Sequence, residues 1–186
     1  MFIQTETTPN PATLKFLPGK VVLESGTAEF LGAEAAQNSP LASRIFSITG
    51  VTGVFFGYDF VTVTKDGPEW HHLKPAILGA IMEHFMSGQP VMGASSRGDS
   101  DLDGEFFDAG DETIVATIKE LLETRVRPAV AQDGGDITFR GFKDGKVFLN
   151  MKGACAGCPS STATLKHGVQ NLLRHFVPEV QEVEAV

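Results

Sequence analysis

The chain has 186 residues, of which 42% are hydrophobic and 20% charged, with a formal net charge of −8. That is the makeup of a globular chain with room for one domain or two small ones. The acidic balance argues against nucleic acid, whose binders usually carry a basic patch, and no apolar run approaches the ~20 residues that span a bilayer.

The first residues, Met1-Phe2-Ile3-Gln4-Thr5-Glu6, form neither a secretory signal nor an Arg-rich transit peptide. Cytoplasmic residence is the expectation. Phe2 to Glu6 and Thr13 to Leu17 suit short strands, parted by Thr8-Pro9-Asn10-Pro11, where two prolines forbid regular pairing. Ser39-Pro40 reads as a helix start, Ser as N-cap and Pro at the first helical position. Val54 to Phe56 and Tyr58 to Thr64 read as a hairpin around Gly57. From His71 to Met86, Leu73, Ile77, Leu78, Ile81, Met82 and Phe85 recur at helical spacing and make one buried face. Residues 1–88 thus form a small α+β unit.

Residues 89–110 carry one basic and five acidic residues, and the stretch from Gly93 to Asp101 is small and polar, too poor in apolar side chains for a core. This is the expected flexible acidic linker. Phe106 and Phe107 break its pattern and are candidates to dock on a neighbouring surface.

Asp111 to Val126 is an amphipathic helix with Ile114, Ile118, Leu121 and Leu122 along one stripe. Asp133-Gly134-Gly135-Asp136 makes a turn. Strands follow at Ile137 to Phe142 and Val147 to Lys152, joined by the hairpin turn Lys143-Asp144-Gly145-Lys146. A helix from Pro159 to Phe176 turns Leu165, Val169, Leu172, Leu173 and Phe176 inward, and Val180 to Val186 adds an edge strand. The fold class is α+β: two small domains, the second (111–186) in α-β-β-α-β order.

Both cysteines lie in one loop, Gly153-Ala154-Cys155-Ala156-Gly157-Cys158, followed by Pro159-Ser160-Ser161. The C-x-x-C spacing lets two thiolates grip one metal or oxidise to a disulfide, and in a reducing cytosol metal or redox work is favoured over a structural staple. The loop runs from a strand end into a helix N-terminus, whose unsatisfied N–H groups should lower both thiol pKa values. Gly153 and Gly157 remove bulk where backbone must approach a cluster. Two thiolates are half of what a tetrahedral zinc or an iron–sulfur cluster needs. Three readings follow: a metal or cluster site supplied jointly by two chains, a thiol–disulfide oxidoreductase using Cys155 and Cys158, or incidental thiols. No aromatic residue precedes Cys155, and the β-α-β pattern usual for redoxin folds is absent.

Residues 111–186 resemble the C-terminal domain of NifU, shared by the Nfu iron–sulfur proteins, through Arg127-Pro128, Asp133-Gly134-Gly135-Asp136 and Gly153 to Ser161. Residues 1–88 resemble the Nfu N-terminal domain, through Phe2 to Glu6, Thr8 to Pro11, Leu14-Lys15-Phe16 and Ser39 to Ala42. The resemblance implies a non-catalytic scaffold or carrier. It would hold a [4Fe–4S] cluster, or a [2Fe–2S] cluster, between the two subunits of a homodimer through Cys155 and Cys158. Its partners would be upstream assembly proteins and client apoproteins. The cysteine-bearing N-terminal scaffold domain of full-length NifU has no counterpart here.

Other side chains invite weaker readings. His71, His72, His84, His167 and His175 lack ligand spacing and read as solvated or capping residues. Asp133 and Asp136 lack the further oxygen ligands of a calcium loop and read as turn residues. Met82, Met86 and Met92 suit either core packing or an adaptable surface.

Overall fold

The computed structural model describes residues 2–93, 105–155 and 159–186, the side chains of residues 159–161 excepted. The chain folds as two compact units, Met1–Asp99 and Ser100–Val186.

In the first unit, β1 (Gln4–Thr7), β2 (Thr13–Leu17), β3 (Ala28–Phe30), β4 (Val51–Phe56) and β5 (Val61–Lys65) form one sheet in the order β1-β2-β5-β4-β3. Every pairing in it is antiparallel. Two helices, α1 (Pro40–Phe46) and α2 (Trp70–Ser87), complete the unit. Phe16, Phe56, Leu41, Ile45, Ile77 and Ile81 are fully buried, each contributing roughly 1.5–3 kcal/mol against exposure. Ser39 caps α1 as the sequence suggests, accepting from the Ala42 N–H at 3.1 Å, while its hydroxyl donates to the Val91 carbonyl at 2.6 Å. Strand β3 is too short and too mixed in composition to show in the sequence.

The second unit opens with α3 (Glu112–Leu121), a π-helical turn (Leu122–Val126) and α4 (Arg127–Gln132). The helix thus runs past its expected end at Val126 and through Pro128. A proline lacks the N–H for its helical bond and its ring crowds the preceding turn; here the wider turn absorbs the conflict, with the Arg127 N–H bonding to the Leu122 carbonyl. Strands β6 (Gly135–Lys143) and β7 (Lys146–Gly153) pair antiparallel through a two-residue turn in which Asp144 and Gly145 have φ of 51° and 78°. After α5 (Pro159–Phe176), β8 (Glu182–Ala185) pairs parallel with β7. Ile118, Ile137, Leu149 and Leu173 are fully buried at the centre of this core. Phe176 departs from expectation: it is 46% exposed, with the Arg125 guanidinium 5.1 Å from its ring centre.

The middle of the expected linker, residues 94–104, lies outside the described residues. Its two ends pack. The Gly93 N–H donates to the Asn38 carbonyl at 2.6 Å, and Val91 and Met92 lie against the first core. The Phe106 N–H donates to the Arg140 carbonyl at 3.2 Å and its own carbonyl accepts from Phe142 at 2.9 Å. The Phe106 ring stands 5.2 Å from that of Phe148.

Candidate functional site

The site is built where the end of β7, the start of β6 and the first turn of α5 converge. Gly153 leaves β7 with φ of 67°, a left-handed turn that a side chain disfavours. The chain then presents Ala154 and Cys155, 1% and 6% exposed. Their backbone is held from two sides. The Ala154 N–H donates to the Gly134 carbonyl at 3.2 Å, and the Thr162 hydroxyl of α5 donates to the Cys155 carbonyl at 2.8 Å.

Gly134 and Gly135 explain themselves here. Gly134 has φ of 80°, and Gly135 pairs with Gly153 across the ladder. A Cβ on Gly135 would lie 2.7 Å from the Cys155 Sγ and 2.7 Å from the Lys152 carbonyl oxygen. The glycine doublet is therefore the floor against which the cysteine packs, more than the plain turn expected from Asp133 to Asp136.

The flanking carboxylates behave differently from each other. Asp136 is 3% exposed, and it accepts from Arg127 Nε and Nη2, each at 2.9 Å, and from the Ile137 N–H at 2.8 Å. Arg127 also reaches Glu123 at 2.7 Å. These hydrogen bonds, those with Asp136 foremost, hold the guanidinium still more firmly protonated than usual. Asp133 ends α4.

Burial, and then the negative charges of Asp133 and Asp136, push the Cys155 thiol up to about 11. For Cys155 this runs against the expectation of a lowered thiol pKa, because removal from water and the two carboxylates all disfavour the thiolate. Cys155 belongs to the same buried core as Met151 and Ile137. Cys158 lies outside the described residues.

Sequence reasoning missed the parts played by Arg127 and Thr162. Arg127 stood out only within the Arg127-Pro128 pair. The histidines also needed the structure. His84 is fully buried rather than solvated, and neither ring nitrogen has a hydrogen-bond partner among the described residues. His71 and His72 are exposed, with ring centres 4.0 Å apart. Among the described residues, no three His, Cys, Asp or Glu side chains stand close enough together to hold a metal ion.

Fold and site define a two-domain α+β protein with a dithiol loop set between a strand and a helix. Family models agree with that class. Residues 3–88 match the model described as the N-terminal domain of scaffold protein Nfu/NifU, and residues 118–184 match the NifU-like domain. The human protein named NFU1 iron-sulfur cluster scaffold homolog, mitochondrial, is 51% identical over 188 residues, covering 100% of this chain and 72% of its own. NifU-like protein 4, mitochondrial, of Arabidopsis thaliana is 54% identical over 187 residues, covering 99% of this chain and 65% of its own. A solution structure of a NifU-like protein from Saccharomyces cerevisiae covers 50% of this chain and 86% of its own, at 29% identity and a TM-score of 0.46. The chain belongs to the Nfu/NifU family of iron–sulfur cluster scaffold proteins.

The same relatives overturn the expectation of a cytoplasmic protein, since they carry mitochondrial names. That expectation rested on six residues at the start of the chain, and the folded domains that make up the rest hold no record of compartment.

Proposed function

We propose that the chain is a non-catalytic carrier that holds a [4Fe–4S] cluster between two copies of itself, through Cys155 and Cys158 of each, and passes it to client apoproteins. In this reading residues 111–186 are the cluster domain, residues 1–88 recognise clients or shield the cargo, and residues 89–110 connect them. A [2Fe–2S] cluster is the lesser form.

The observation that supports it is the clasp on Cys155. A cysteine at a strand–helix junction, backed by two glycines that let backbone come within contact of sulfur, suits a group ringed by thiolates and sulfides. The chain has two cysteines, so a full set of four thiolates takes two chains. A site split in this way opens by chain separation, and client thiolates then replace Cys155 and Cys158 in turn. Because Cys155 is covered, loading draws the thiol out of the core, where the cargo's metal takes the place of its proton. The dithiol oxidoreductase reading fits less well. Such an enzyme depends on an accessible thiol of depressed pKa, and burial moves Cys155 the other way.

Anaerobic reconstitution with iron and sulfide, followed by iron counting, Mössbauer spectroscopy and native mass spectrometry, tests the proposal. The expected result is a monomeric apoprotein and a loaded dimer with one cluster per two chains. A loaded monomer with a complete cluster would sink the shared site. Disulfide-exchange turnover without stoichiometric iron would favour the oxidoreductase.

A further inference from the structure

Arg127 sits at an irregularity of the helix that leads to the site. Its N–H bonds five residues back, to Leu122, and closes the π turn. An extra residue in a helical turn rotates everything that follows by about 100° relative to an unbroken helix. Beyond this turn the guanidinium forks onto Asp136, with Nε and Nη2 at 2.9 Å from the two carboxylate oxygens. Asp136 is the residue after Gly135 and is itself bound to its neighbour's N–H, Ile137 at 2.8 Å. The pair is therefore a bracket between α4 and the first residues of β6. Gly134, just ahead of β6, accepts the Ala154 N–H, and Gly135, its first residue, stands against the Cys155 sulfur.

We infer that Arg127 is a positioning residue for the cysteine loop: its fork on Asp136 fixes Gly134 and Gly135 at the height where they clasp Ala154 and Cys155. It touches neither thiol. The pair is built as a locating device: a planar, bidentate fork fixes distance and orientation together, and removing one member of so deeply buried a charge pair costs far more than breaking one at the surface. A lysine at this position would keep the charge and lose the orientation.

The inference rests on the cluster-carrier reading for one of its two readouts. The full chain is prepared as wild type, Arg127→Gln, Arg127→Lys, Asp136→Asn, the Arg127→Gln/Asp136→Asn double variant and Val169→Ala. The last removes buried volume in the same core from α5, which carries neither member of the bracket, and controls for general destabilisation. The first readout is amide hydrogen exchange at Ala154 in the apoprotein. The second is the half-life of the reconstituted cluster under an iron chelator.

Arg127→Gln is expected to speed exchange at Ala154 beyond what Val169→Ala does, and to shorten the half-life about 10–100-fold, the usual cost of losing a residue that orients a ligand. Arg127→Lys, the variant that folds most readily, should show the same changes to a smaller degree. The double variant should be no worse than Arg127→Gln alone, because both substitutions remove one bracket. Exchange and half-life of Arg127→Gln equal to those of Val169→Ala would overturn the inference. So would wild-type behaviour of Arg127→Lys, or losses that multiply in the double variant. A wild-type chain that takes up no cluster sinks the carrier reading instead, and exchange at Ala154 then still decides whether the bracket sets the loop.

Discussion

Among the described residues, the most deeply buried titratable side chains of the two units are treated in opposite ways. In the Met1–Asp99 unit, His84 is fully covered and neither ring nitrogen has a hydrogen-bond partner among the described residues. In the Ser100–Val186 unit, Asp136 is almost as deeply covered and meets a bidentate guanidinium and a backbone N–H. An unpartnered buried polar atom costs about 1–3 kcal/mol, whereas a fully satisfied one costs little and fixes geometry. The satisfied group stands beside the cysteine loop, where geometry matters, and the unsatisfied one lies in the unit that carries no cysteine.

The largest effect expected from breaking this contrast is at the cysteines. Cys155→Ala or Cys158→Ala should abolish iron retention after reconstitution. For Cys155→Ala, deleting one buried sulfur should cost the second unit only about 1 kcal/mol. Iron counting with a thermal melt of the apoprotein checks both halves. A Cys158→Ala chain with full iron would remove that residue from the ligand set.

Next comes the glycine floor. Gly135→Ala places a Cβ at 2.7 Å from sulfur and from a backbone oxygen; the backbone cannot swing aside as a side-chain end could. It should destabilise the second unit by about 1–3 kcal/mol and loosen the exchange protection of Ala154. Gly168→Ala is the contrasting change. Gly168 lies within α5 with open space where a Cβ would go, so the variant should gain about 0.5–1 kcal/mol. Chemical denaturation of both variants gives the comparison, and a neutral Gly135→Ala would mean the floor yields.

His84 offers a pH test of the other side. Burial first, and then the nearby Arg44 charge, lower its pKa from the ordinary 6.5; the Gln89 backbone opposes them without reaching hydrogen-bond geometry. In the unfolded chain the ring takes up its proton near pH 6.5, while the folded unit resists it. Below that pH the unfolded state binds more protons, so stability falls as pH drops from 6.5 toward the folded pKa. His84→Leu should remove this slope from the melting temperature of the first unit and raise stability at pH 7 by about 1–2 kcal/mol, since two orphaned nitrogens go. A slope that survives His84→Leu would place the titrating group elsewhere.

Much of this was legible in the chain. Ser39-Pro40 announced α1, Asp144-Gly145 the tight hairpin, and the three-and-four spacing of Leu73, Ile77 and Ile81 the buried face of α2. The cysteine loop stood out by composition alone. What stayed hidden depends on distance in space. The Arg127–Asp136 fork spans the π turn's aftermath and a chain reversal, and the clash that forbids a side chain at Gly135 exists only once β6 and β7 are paired. The helix outruns its expected end at Val126 because a widened turn carries it through Pro128. His84 and Phe176 share helices with residues of clear periodicity, yet their burial is set by neighbours from other elements.

The smallest effect concerns where the second unit begins. The sequence suggests Asp111, the start of the helical stripe. The structure places Glu105 and Phe106 against the same unit: Glu105 pairs with Lys119, and Phe106 pairs its backbone with Arg140 and Phe142. Gly141 receives the Phe106 ring, since a Cβ there would lie 2.5 Å from it. Phe106 remains 42% exposed, so its burial is worth only about half that of a core aromatic, and the Glu105–Lys119 pair adds a few tenths of a kcal/mol. A fragment of residues 105–186 should therefore be more stable than one of residues 111–186 by about 1–2 kcal/mol, with both folded. Phe106→Ala in the longer fragment should remove most of that gain. Equal denaturation midpoints for the two fragments would show that the strap rests on the sheet without strengthening it, and the start of the helix would then be the thermodynamic boundary of the unit.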